Sequence, residues 1–171
     1  LLSRPISRFD LLMGKLLGGI LVSWLAFLML AVLTAVALLT FRVPFEPIML
    51  QYVAFKMMGL VVLCAVTLTL STFMTPAAAA TMSFVLAFGS SMISRALVMS
   101  FESSGPVLQW VFRVVDNLLP RYGHFDLGSR AANIGWSPVP TWVMLVMGAY
   151  MLVYGGSMLA LSWLRFRRQP I

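Results

Sequence analysis

Apolar residues run through this chain in four long blocks. Residues 16–39 (LLGGILVSWLAFLMLAVLTAVALL) and 141–164 hold no charged side chain, and 52–74 and 76–99 hold one each, Lys56 and Arg95. About 20 apolar residues at about 1.5 Å rise each span the hydrocarbon core of a bilayer, so all four blocks predict transmembrane helices. No ten-residue alternating pattern of a membrane barrel is visible, and a helix satisfies its own backbone hydrogen bonds in lipid. Between the third and fourth blocks, residues 106–119 (PVLQWVFRVVDNLL) place Gln109, Arg113 and Asp116 on one helical face and Leu108, Val111, Val115 and Leu118 on the other. That segment is too short to cross and predicts an amphipathic helix at the interface. Residues 120–140, rich in Gly, Pro and polar side chains, complete a loop over 100–140. The expected fold class is therefore an all-α, polytopic membrane protein with four transmembrane helices and one short amphipathic outer helix.

Composition agrees. The chain is 61% hydrophobic and 10% charged, against about 25% charged in a soluble domain. Its net charge of +7 would suggest nucleic acid in a soluble protein, but here the basic residues flank the apolar blocks and no nucleic-acid partner is expected. The two ends carry Arg4, Arg8, Lys15, Arg165, Arg167 and Arg168 against one acid, Asp10. Arg42 is offset by Glu46 in the first connection, and Arg113, Arg121 and Arg130 are offset by Glu102, Asp116 and Asp126 in the long one. The positive-inside rule then puts both ends in the cytoplasm, as expected of a multi-pass protein of the inner membrane. In this orientation Lys56 and Arg95 lie within a turn or two of the outer surface, where each either snorkels to the headgroups or lines a polar substrate path. Residues 165–171 form a basic cytoplasmic tail. The first apolar block is too long for a cleavable signal, and the absence of a starting methionine leads us to expect a portion of a longer protein.

Candidate chemistry is sparse. His124, the single histidine, falls in the loop, and no acid lies in any apolar block. Cys64 is the single cysteine and has no neighbouring His or Cys with which to share a metal. There is no GxxxxGK[ST] phosphate loop. The expectation is a chain that is not itself catalytic and binds no cofactor. Gly14 and Gly18 form a GxxxG pair, which serves either packing within the subunit or a face for a second one.

The opening stretch, LLSRPISRFDLLMGKLLG, combines a proline flanked by Ser-Arg steps with a helical run carrying Phe9, Leu12, Met13 and Leu16. On physical grounds it is an amphipathic, positively charged anchor on the inner leaflet that turns into the first span. It also resembles the segment ahead of the third transmembrane helix in ABC-2 type permeases, especially the branch related to the permeases of nitrous-oxide reductase copper-site maturation. The closing stretch YMLVYGGSMLALSWLRFRRQPI is similar to that family's last helix and tail, and LLPRYGHFDL to the loop before it. The resemblance implies that the four spans are the third to sixth of a six-helix permease. It implies that Ser3, Arg4, Pro5, Ser7, Arg8, Asp10, Gly14 and Lys15, within the cytoplasmic segment 1–15, lie in or beside a surface that couples to an ABC ATPase subunit. The partners implied are that ATPase, which binds the ATP and Mg, a second permease subunit as homo- or heterodimer, and membrane lipid. The activity implied is ATP-driven transport of a substrate, in the direction of export. A four-helix membrane scaffold without a transport cycle is the alternative expectation.

Overall fold

The computed structural model describes residues 8–101, 108–110, 122–128 and 137–167, and every regular element among them is helical. Helix α1 is Arg8–Thr40, α2 is Pro47–Ser71, α3 is Pro76–Phe101 and α4 is Thr141–Arg167, with a 3-10 turn at Tyr122–Phe125. Three of them, α1, α2 and α4, are long and apolar enough to cross a membrane. In α3, a helix of 26 residues, the apolar stretch among the described residues is Pro76–Gly89. Most of the expected amphipathic helix at 106–119, and most of the loop around it, lie outside the described residues; Leu108, Gln109 and Trp110 within it are helical.

Helix ends follow local chemistry more closely than the hydrophobic boundaries do. Proline opens both α2 and α3, at Pro47 and Pro76. The first helical position has no intrahelical use for an N–H, so proline loses nothing there and its fixed φ already suits the helix. Helix α2 therefore starts five residues before the apolar block at 52. Two residues past the end of α1, Arg42 has positive φ (53°). The Val43 N–H donates to Leu38 C=O at 3.0 Å and the Arg42 N–H to Leu39 C=O at 3.2 Å. This paired closure ties off two of the terminal carbonyls, and Pro44 just beyond blocks any continuation. Arginine in that backbone region costs more than glycine would.

Helix α2 is the centre of the bundle and packs against α1, α3 and α4. Its buried residues Ile48, Phe55, Val62 and Thr69 recur every seven positions, with Ala65 and Val66 beside them. That repeat keeps one seam facing its neighbours along the whole helix. Short connections make α1 antiparallel to α2, and α2 antiparallel to α3. Helix α4 runs parallel to α2: Val139, just before α4, is bonded to Gln51 near the start of α2, and Met158 and Ser162 are bonded to Thr69 near its end. One end of the bundle gathers the 122–128 turn and the starts of α2 and α4. The other, the basic end, gathers Lys15, the 72–75 connection, Arg165 and Arg167.

The distribution of polarity is inverted relative to a water-soluble bundle. Large apolar side chains of α1, among them Val22, Leu25, Met29 and Leu33, point away from the rest of the chain, while Thr69, Ser83 and Ser162 are buried. An apolar surface of this extent is an aggregation hazard in water but costs nothing against lipid tails, which are as apolar as leucine. Polar groups instead hold the helices together. Thr69 Oγ1 donates to its own turn at Ala65 C=O (2.8 Å) and is also 3.0 Å from Met158 C=O on α4, and Ser162 Oγ donates to Thr69 Oγ1 at 3.1 Å. Trp24 Nε1 of α1 donates to Met57 C=O of α2 at 3.0 Å.

Candidate functional site

Of the residues singled out in the sequence, the described ones fall at opposite ends of the bundle. Ser3, Arg4, Pro5 and Ser7 lie outside the described residues, as do the side chains of Arg8 and Arg95. Arg8 opens α1, and Asp10 stands in its first turn, where a negative charge favours the helix N-terminus. Helix α1 is unbroken from there to Thr40, so residues 8–15 and the first apolar block form one rod. Its inward stripe is Leu12, Leu16 and Ile20, spaced by four, and Phe9 is exposed. Gly14 and Gly18 are exposed, and a Cβ added at either would meet nothing within 4 Å. They make no close helix contact among the described residues.

Lys56 has a partner at the other end of the bundle that neither sequence expectation included. Its Nζ is 3.2 Å from Asp126 Oδ1, which also accepts the Gly128 N–H at 2.9 Å. The turn carrying Asp126 is wedged between α2 and α3 by Phe125, which is 2% exposed and packs with Phe55, Val62 and Val66. Room for that ring exists because residue 59 is glycine: a Cβ there would lie 3.1 Å from Phe125 Cβ. Tyr150 of α4 also packs near the ring, tilted against it with centroids 6.0 Å apart. Tyr122, Lys56 and Asp126 line a cleft of about 320 Å³ between α2 and α3. The Tyr122 hydroxyl is buried there without a hydrogen-bond partner among the described residues, and burial raises its pKa well above the ordinary tyrosine value. It is neutral at every physiological pH. His124 is exposed.

Burial alone would raise the Asp126 pKa, but the Gly128 N–H and the Lys56 ammonium outweigh it and leave the carboxyl below its ordinary value. A depressed carboxyl pKa stabilises the fold above the unfolded value, about 3.9, and that stabilisation is lost as pH falls through the folded value. Both side chains are partly exposed, so the pair contributes about 0.2–1 kcal/mol. Thermal midpoints of wild type and Asp126→Asn in mild detergent are expected to differ by a degree or a few at neutral pH and to converge in strong acid. A difference that persists below pH of about 2 would show that the ion pair is not its source.

At the basic end, α1, α2 and α3 enclose a second cleft of about 400 Å³, lined by Lys15, Ser23, Cys64, Thr67 and Ser71 among others. Ser23 Oγ and Cys64 Sγ are 3.5 Å apart at its deep end. Arg165 and Arg167 of α4 also lie at the basic end, over the rings of Phe73 and Trp163 respectively.

These features define a helical bundle with three membrane-length helices, cationic at one end and closed by an aromatic wedge at the other. Compared with known proteins, the chain has no matching family model and no significant match to a curated protein or a solved structure.

Proposed function

We propose that the chain is the membrane-spanning part of an ABC-2 type transporter permease. Four helices cross the membrane, α3 being the fourth; its 26 residues extend about 39 Å, more than the hydrocarbon thickness. Both ends of the chain face the cytoplasm, where positive charge is retained. Two permease subunits pair with two ATPase subunits, which bind and hydrolyse the ATP, and the cycle exports a substrate.

The observation that carries this reading is the opening motif, together with its attachment to α1. The run from Arg8 to Lys15 is continuous with the first span in a helix of 33 residues. An unbroken helix of that length, about 50 Å, transmits a push at its cytoplasmic end to the far side of the membrane without a hinge to absorb it. At that far side the Phe125 wedge closes the gap between α2 and α3, the place where an exporter needs a barrier. Lys56, held by Asp126, belongs to this closure.

The test is co-purification. The full-length protein in mild detergent is expected to bring down an ABC ATPase, and Arg4→Glu/Arg8→Glu is expected to lose it by tenfold or more while remaining inserted and folded. Each reversal replaces an attraction to an acidic partner with a repulsion, and two such changes at an interface cost several kcal/mol. If a stable, inserted wild type brings down no ATPase, the scaffold reading takes over.

A further inference from the structure

The cleft at the basic end has the shape and charge of a lipid site. Along α1 it runs from Lys15 to Ser23, eight residues or about 12 Å. Along α2 it runs from Ser71 to Cys64, about 10 Å. One leaflet of hydrocarbon is about 15 Å deep. The groove thus reaches from the interface nearly to the bilayer midplane, the path of one acyl chain. Its volume of about 400 Å³ lies at the low end of small-molecule sites, enough for a phosphate, its glycerol carbons and part of one chain.

Charge selects the headgroup. Lys15 is the cation at the mouth, immediately before the first apolar block, and among the described residues it has no ion-pair partner. Among the described residues, no carboxylate lines the cleft. The hydroxyls of Thr67 and Ser71 donate to their own helix at Leu63 C=O (2.8 Å) and Leu68 C=O (2.7 Å), which leaves them as acceptors and makes Lys15 the group that reads a negative charge. A zwitterionic headgroup offers that lysine a phosphate already neutralised by its own ammonium.

We infer that this cleft binds an anionic phospholipid of the leaflet at the basic end, with its phosphate on the Lys15 ammonium and one acyl chain lying past Leu68 and Leu63 to Cys64. The site does not depend on a transport cycle, and it stands or falls separately from the permease reading. Bound lipid there fills the space between α1 and α3 in front of α2, and so fixes the spacing of the helices at their basic ends.

The test uses the full chain in phosphatidylcholine vesicles containing a trace of phosphatidylglycerol with a diazirine in mid-chain. Photocrosslinks are mapped by mass spectrometry. Adducts are expected on the stretch around Leu63 and Cys64 and on α3 near Ala79. Lys15→Gln should weaken them about fivefold, the worth of one lysine against an anionic headgroup, and Lys15→Arg should retain them. Lys15 is exposed, so neither change disturbs folding, which circular dichroism checks. The same diazirine on phosphatidylcholine is expected to label this stretch several-fold less. Equal labelling by the two lipids, or labelling indifferent to Lys15→Gln, overturns the site. Displacement of the lipid by millimolar inorganic phosphate overturns the lipid assignment in favour of a soluble anion.

Discussion

Phe125→Ala is expected to destabilise the bundle by about 3–5 kcal/mol, the range for removing a fully buried phenylalanine. The full range applies even though this is a membrane-type bundle. A residue of α1 such as Leu25 exchanges protein for lipid when its helix separates, and both are equally apolar. Phe125 belongs to a turn, and on release it exchanges the packed side chains of Phe55, Val62 and Val66 for the aqueous interface. Unfolding monitored in mild detergent should therefore separate Phe125→Ala from Leu25→Ala, the latter being close to wild type. Gly59 provides an internal control. Gly59→Ala places a methyl 3.1 Å from Phe125 Cβ and 3.4 Å from its Cγ, an overpacking worth about 1–3 kcal/mol. With the smaller leucine at position 125 the same methyl has more room, so Gly59→Ala/Phe125→Leu should be less destabilised than the two single changes added together. Strict additivity would mean that the ring does not sit against residue 59.

Much of the architecture was legible because each helix announces itself locally. The uncharged run in α1, the proline at 76 and the basic residues closing α4 are all signals within a few residues of the feature they mark, whereas Pro47 opens α2 five residues ahead of the expected start at 52. The clasp was not legible. Lys56 and Asp126 are 70 positions apart, and nothing near Lys56 distinguishes a lysine that snorkels from one that pairs with a returning loop. Gly59 and Phe125 give weaker warning still, since a glycine in an apolar helix and a phenylalanine in a loop are both ordinary until they face one another. The one available hint was the run YGHFD, whose aromatic and acidic residues interrupt an otherwise polar, Gly- and Pro-rich segment. At the basic end, the expected apolar face was Phe9, Leu12, Met13 and Leu16; the structure buries Leu12 and Leu16, leaves Met13 half-buried and continues the stripe to Ile20, which helical spacing from Leu16 would have added. Phe9 departs from the expected face and is exposed.

Gln51→Leu is expected to cost about 2–4 kcal/mol, because it would strand two buried backbone groups at once. Gln51 Nε2 donates to Val139 C=O at 3.0 Å, and the Val139 N–H donates to Gln51 Oε1 at 2.7 Å. Val139 stands between Pro138 and Pro140, which hold the segment extended and supply no N–H of their own. The valine is buried, so water is a poor substitute for the amide. Leucine matches the size of glutamine but returns neither bond. The direct measurement is hydrogen exchange at the Val139 amide: strong protection in wild type, and loss of it by tenfold or more in Gln51→Leu. Unchanged protection would mean that the amide pairing does not hold this segment. The consequence extends along α4. That helix is fixed to α2 by Gln51 at one end and by the Thr69–Ser162 contact at the other, so the two move as one body, whereas α1 is tied to α2 chiefly through Trp24 and the Leu16–Ile20–Ala65 cluster. Freeing the Val139 end should allow α4 to tilt about Thr69. In that case Gln51→Leu combined with Thr69→Val should destabilise by more than their sum, since each bond then limits the motion that the loss of the other permits.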